Sequence, residues 1–208
     1  MQKVLEQYNI VKNQTPLSTV LTLVTKKQTM ETITPIIELG HKNFAENYIQ
    51  EAKDKWANIS GVNLKLIGHL QSNKIKEALA LFDEIHTVDR LDLAIKIHKN
   101  LMPQTKTKVF YAQINIGFEP QKSGISPDDF AEFLDHCPLE ISGIMCIPPE
   151  GVEPSPYFKK MVEIAKFTSE KLGKRLKISM GMSGDFQTAI KFGSDEIRVG
   201  SAIFGARI

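Results

Sequence analysis

The stretch TLVTKKQTM, residues 22–30, decides between two ways of folding the rest of the chain. Threonine, leucine and valine form a short β-branched, apolar run of the kind that suits a buried strand. It stops on Lys26 and Lys27, and the turn that follows contains no glycine. An open, doubly wound sheet usually carries a glycine-rich turn after its first strand, where the backbone approaches a phosphate. A turn reading KKQTM lacks that feature and leaves the closed barrel as the competing architecture, provided the strand count agrees.

The count does agree. Candidate strands lie at 22–26, 42–46, 64–68, 84–88, 108–116, 140–147, 177–180 and 196–200, and helical patterns separate them. These patterns are METITPIIELG, NYIQEAKDKWAN, SNKIKEALALF, LDLAIKIHKN, SPDDFAEFLDHC, YFKKMVEIAKFTSEKLG and SGDFQTAIKFG. Ser126-Pro127-Asp128-Asp129 reads as an N-cap followed by a first-turn proline, and Gly40, Gly173 and Gly193 stand just past helix ends. Strand and helix alternating in this way imply parallel strands joined by crossover helices. A chain of 208 residues sits near the lower end of the barrel range of about 200 to more than 400. The expected fold is therefore an α/β single (β/α)8 TIM barrel preceded by an N-terminal helix, with residues 1–208 forming one domain. No linker, low-complexity tract or internal repeat interrupts the β/α rhythm.

Composition narrows the function classes. Hydrophobic residues make up 42% and charged residues 24%, with 26 basic and 24 acidic residues giving a net charge of +2. That balance offers no basic stripe for nucleic acid. The opening MQKVLEQYNIVKNQTPLSTV is an amphipathic helix broken at Pro16, without the apolar core of a secretory signal. No apolar run approaches the roughly 20 residues needed to span a bilayer, so no membrane partner is expected and a cytoplasmic location is. Cys137 and Cys146 have no ligand-like spacing and read as two buried packing thiols in a reducing compartment.

Chemistry in such a barrel belongs where the strands end. Those ends supply Lys26, Glu46-Asn47, Gly68-His69, Thr87-Asp89-Arg90, Asn115, Met145, Met182-Ser183 and Arg198-Gly200-Ser201, while the strand bodies are mainly apolar. Alternation places Thr22, Val24 and Lys26 on one side of the first strand, with Leu23, Thr25 and Lys27 on the other. One lysine faces the barrel mouth and its neighbour does not; the pattern leaves open which. A lysine withdrawn from water has a lowered pKa and can attack an aldehyde as the neutral amine. Lys27 is read as a snorkelling surface lysine.

The last two loops add an anion site. In SMGMSGDFQTAIKFG, glycines surround Ser183 and a helix begins near Asp185; in EIRVGSAIFGA, the strand ends at Gly200-Ser201 before a short helical turn. Glycine lets backbone N–H groups approach an anion, and a helix start favours negative charge. Taken singly, each of these features serves equally as a cap or a tight turn. Together, after strands 7 and 8, they match the place where barrels hold phosphate. Within EIRVG, Ile197 and Val199 share one face, so Arg198 looks inward, toward either a ligand's heterocyclic nitrogen or an internal carboxylate such as Glu196. A lysine, a phosphate cradle and a fixed arginine in one mouth are the requirements of pyridoxal 5′-phosphate.

These residues lie in stretches that resemble a known family. LVTKK, FAENYIQEAKDKW, LKLIGHLQSNKIK, IHTVDRLDLA, INIGFEPQKSGI, ISGIMCIP and LKISMGMSGDFQTAIKFGSDEIRVGSAIFGAR are similar to the pyridoxal phosphate homeostasis proteins. That family is a single barrel similar to the N-terminal domain of bacterial alanine racemase. The resemblance implies that Lys26 is the internal aldimine lysine and that Asn47 lies beside the cofactor ring. It implies that Met182, Ser183, Arg198, Gly200 and Ser201 complete the cofactor site, Arg198 at the ring nitrogen and Ser183, Gly200 and Ser201 at the phosphate. Serine at 201 replaces a threonine found in some relatives and keeps the hydroxyl. His69 replaces a frequent proline and is given no role, and no residue is assigned as catalytic or metal-ligating.

The function so implied is intracellular vitamin B6 homeostasis: a protein that holds pyridoxal phosphate, limits the free aldehyde and hands it to apo-enzymes. A monomer is expected, because no long apolar surface run stands out. The alternative is a pyridoxal-dependent racemase, which needs an acid/base group on each face of the substrate α-carbon. In the resembling racemases the opposing tyrosine comes from a C-terminal domain, whereas here the chain runs only eight residues beyond Gly200. Of Tyr8, Tyr48, Tyr111 and Tyr157, only Tyr48 adjoins a mouth motif, and arginine at a ring nitrogen discourages the pyridinium that racemisation uses. A Schiff-base aldolase for sugar phosphates would share the lysine and the loops but leave Arg198 without a ring.

Overall fold

The computed structural model describes residues 2–205; Met1 and residues 206–208, which include Ala206 and Arg207 of the quoted C-terminal stretch, lie outside them. Every strand read from the sequence is present: β1 Val20–Val24, β2 Asn43–Glu46, β3 Asn63–Leu66, β4 Glu84–Val88, β5 Val109–Ile114, β6 Ile141–Cys146, β7 Lys177–Ser179 and β8 Glu196–Val199. They pair in sequence order, all parallel, and β8 returns to β1 to close the barrel. The closing register sets Thr22 beside Arg198 and Leu23 beside Val199.

Helices α1 Gln2–Gln14, α2 Met30–Glu38, α3 Ile49–Trp56, α4 Ile75–Leu81, α5 Leu91–Asn100, α6 Phe130–His136, α7 Ser155–Leu172, α8 Phe186–Lys191 and α9 Ser201–Phe204 surround the sheet. The main core lies between them and the outward strand faces, where Leu23, Phe44, Leu66, Ile85, Ile197 and Val199 meet Ile33, Ile36, Ala52, Ala78, Leu93 and Ile97. Gly40, Gly173 and Gly193 adopt positive φ just past α2, α7 and α8, as their positions suggested. The reading of Ser126-Pro127-Asp128-Asp129 as a first helical turn is corrected. Ser126 Oγ accepts the Asp128 N–H at 3.2 Å in a local turn, and α6 starts only at Phe130.

Two further expectations change. Cys146 is fully buried in β6, but Cys137 is only half-buried, with its thiol 3.7 Å from the Leu139 carbonyl. The strand bodies carry a polar layer on their inner faces that the apolar reading did not anticipate. Inside the barrel, below the mouth, Lys65 donates to Glu196 at 2.9 Å and lies 3.7 Å from Glu84. Asn63 donates to Glu84 at 2.6 Å, and His86 Nε2 donates to its other oxygen at 2.7 Å while stacking on Tyr111. Barrel interiors are usually filled by branched apolar side chains; here charge pairing fills this layer, above a cavity of about 650 Å³ at the N-terminal ends of the strands. Glu84, His86 and Glu196 also have the composition of a metal cluster, but the Lys65 ammonium already stands beside both carboxylates.

Burial pushes the Glu84 carboxyl up, yet the His86 hydrogen bond and the Lys65 charge overcome it and hold the group at about 2. The depressed value means that Glu84 stabilises the fold fully above the ordinary 4.5 and loses that contribution as pH falls toward 2. The expected size is about 3 kcal/mol. In urea titrations the stability gap between wild type and Glu84→Gln should close over that pH range. Parallel pH profiles would contradict this account of the interior.

Candidate functional site

The C-terminal ends of the strands surround a cavity of about 690 Å³, a size ordinary for small-molecule sites. Lys26, Asn47, Met182, Ser183, Arg198, Gly200 and Ser201 all line it, together with Val24 and Ile67. The sequence left open which of the two lysines faces inward, and the backbone answers. Lys26 continues the inward series of Val24, whereas Lys27 adopts a left-handed conformation with φ 63° and is exposed. This turn costs a non-glycine residue about 1 kcal/mol, and the Lys27 N–H donates to the Glu51 carboxylate.

Asn47 follows β2 at the mouth. Its Oδ1 is buried without a hydrogen-bond partner, a position that calls for a donor from something bound in the cavity. Its backbone is pressed against Gly68, where any Cβ would stand 2.0 Å from the Asn47 carbonyl oxygen, so only glycine fits there. Glu46, one residue earlier, points the other way, into the helical layer.

Arg198 is 3% exposed. One guanidinium nitrogen donates to Ser179 Oγ at 2.7 Å and the other to the Cys146 carbonyl at 2.8 Å. The internal carboxylate considered as its partner, Glu196, is taken by Lys65. Burial lowers the Arg198 pKa from its usual value, and burial pushes the adjoining Cys146 thiol up to about 12. The arginine is thus a fixed cation whose bonds run to neutral groups, facing the cavity.

The loops after β7 and β8 are tied by one hydroxyl. Ser183 Oγ accepts the N–H groups of Gly200 and Ala202, each at 3.1 Å. With its lone pairs so engaged, the Ser183 O–H remains to be donated to an anion. Asp185 accepts the Met182 N–H at 2.6 Å and fixes the same loop. Gly200 runs beside β1, where a Cβ would come 3.1 Å from the Val24 carbonyl oxygen.

Other strand ends stay outside. Tyr48 is exposed, Met145 is buried, and Asn115 ties its own loop by donating to the Glu119 carbonyl at 2.9 Å. His69 and Arg90 both pair with Asp89, and His86 belongs to the interior charged layer. Among the described residues, no tyrosine or histidine lines the cavity. The structure also adds a wall that the sequence did not suggest, residues 147–152 and Pro154 after β6, with Lys122 donating to the Pro148 carbonyl at 3.3 Å. The run IPPEGVEPSP, stiff in proline and too polar for a strand, was the available signal for a shaped loop.

Comparison with known proteins places this geometry in context. The model of the alanine racemase N-terminal domain matches residues 1–208. The pyridoxal phosphate homeostasis protein of Vibrio cholerae is 35% identical over 90% of this chain and 85% of its own length, and that of Escherichia coli K12 is 34% identical with the same coverages. The structure of PipY from Synechococcus elongatus PCC7942, known with and without bound PLP, superposes with TM-scores of 0.86 and 0.87. It is 28% identical and covers 97% of this chain and 100% of that one. Clostridium difficile alanine racemase shares the fold at a TM-score of 0.77 and 15% identity, this chain matching 57% of its length. The chain belongs to the family of pyridoxal phosphate homeostasis proteins, built on the alanine racemase N-terminal domain.

Proposed function

We propose that the protein binds pyridoxal 5′-phosphate at this cavity and holds it, without turning over a substrate, as part of vitamin B6 homeostasis. The observation that carries the reading is convergence: an inward lysine, a carboxylate-free buried arginine and a serine-tied pair of glycine loops line one cavity. Bound pyridoxal phosphate supplies an aldehyde that condenses with a primary amine with loss of water.

The chain's own groups divide the work. Lys26 supplies the amine. The Ser183 and Ser201 hydroxyls and the Ser201 N–H would hold the phosphate, with Gly200, whose own N–H is taken by Ser183, leaving room for its close approach. Arg198 would serve the ring nitrogen: its guanidinium, already braced by Ser179 and Cys146, would present a donor without swinging away. A donor of permanent charge leaves the ring nitrogen unprotonated and so weakens the electron sink that racemisation uses. Asn47, with its buried and unpartnered Oδ1, would lie beside the ring, and Met182 lines the cavity wall.

The carrier reading is favoured over a racemase by the lining, which offers no tyrosine among the described residues to oppose Lys26. An aldolase would leave Arg198 facing no ring. Transfer to apo-enzymes, a monomeric state and a cytoplasmic location complete the proposal. The two free cysteines fit a reducing compartment, and no helix among the described residues is long and apolar enough to cross a membrane.

Protein incubated with pyridoxal phosphate should turn yellow and bleach with borohydride. Lys26→Ala should abolish the colour, while Lys27→Ala keeps it. A colourless wild type, or colour retained by Lys26→Ala, would refute the assignment; amino-acid racemisation abolished by Lys26→Ala would restore the enzyme.

A further inference from the structure

The two peptide groups that flank the Lys26 Cα are both held from behind the barrel wall. On one side, the Thr25 carbonyl accepts Lys55 Nζ at 2.7 Å and the Gln28 N–H at 3.0 Å. On the other, the Lys27 N–H donates to Glu51. Lys55 and Glu51 lie one helical turn apart on α3 and bond each other at 2.8 Å. Lys55 also reaches Glu46 at 2.6 Å, and the same Glu46 oxygen accepts Thr25 Oγ1 at 2.7 Å and Trp56 Nε1 at 3.1 Å.

From this arrangement we infer that Lys55 and Glu51 are positioning residues for Lys26, aiming its amine by clamping the backbone on either side of it. The inference rests on the proposed function for the identity of the ligand, but it concerns residues that do not line the cavity. A lysine on the exposed side of a helix would wander. Lys55 is only 10% exposed, and its partner Glu46 is fully buried, so the clamp is held in a medium where charged hydrogen bonds are strong. Glu51 also opposes the tendency of Lys27 to leave its left-handed conformation. Release of either peptide lets the strand end rotate, and the direction of the Lys26 side chain rotates with it.

The test compares two ligands that share a ring and a phosphate. Pyridoxal phosphate can condense with an amine, whereas 4-deoxypyridoxine 5′-phosphate, with a methyl group in place of the aldehyde, cannot. Lys55→Met and Glu51→Ala should each weaken the first at least about tenfold, since misplacement by about 1 Å can cost about 100-fold. Both should hold the deoxy compound within about twofold of wild type. Glu51→Gln, whose amide oxygen can still accept the Lys27 N–H, should restore most of the preference. Glu51 is partly exposed, so its variants decide the matter if Lys55→Met does not fold. Equal weakening of both ligands would mean general damage to the mouth and overturn the inference, as would aldehyde binding unchanged in Glu51→Ala. A wild type with no preference for the aldehyde would instead fail the proposed function, and the inference with it.

Discussion

The parallel pairing of β8 with β1 is the constraint on which the rest depends. Its register sets Thr22 beside Arg198, which brings Gly200 alongside the Val24 backbone and leaves Lys26 just beyond. Groups at opposite ends of the sequence thereby share one mouth. A parallel ladder has no edge once closed, so this juxtaposition is as firm as the barrel itself. The loops after β7 and β8 then need only the Ser183 hydroxyl to join them.

Charge in this barrel is sorted by depth. The lower interior balances Lys65 against Glu84 and Glu196, while the mouth leaves Arg198 bonded to a hydroxyl and a carbonyl. An internal carboxylate at Arg198 would have satisfied the guanidinium and removed its use toward a ligand. The pairing of Glu196 with Lys65 prevents that, so an apparently structural salt bridge below the site bears on what the site can hold. Behind the wall, Glu46, Lys55 and Glu51 form a third charged group, and through Lys55 and Glu51 it reaches the backbone on either side of Lys26.

Much of this was legible in the residue pattern, for physical reasons. The period-2 alternation of EIRVG assigned Arg198 to the inside, and the apolar strands separated by capped helices gave the closed eight-stranded sheet. The serine and glycines of the last two loops marked the segments that Ser183 ties together at the cavity. What the pattern could not carry were pairings across long sequence separation, such as Lys65 with Glu196, and the turn of a single residue. Lys26 and Lys27 are chemically alike; alternation puts them on opposite sides of the strand without saying which is inward, and the cavity lining by Lys26 and the left-handed φ of exposed Lys27 decide it. Nothing in the helical pattern singles out Lys55, because one of its targets is the Thr25 main-chain carbonyl, which leaves no mark in composition. Ser126-Pro127 mimicked a helix start because the same hydroxyl-to-backbone bond closes a local turn.

The account stands on one side chain reaching the captive aldehyde. Reduction of the pyridoxal phosphate-loaded protein with borohydride, followed by proteolysis and mass mapping of the modified peptide, reads that side chain directly. The pyridoxyl group is expected on Lys26. A label confined to Lys27, or to a lysine remote from the mouth, would contradict the account at its base.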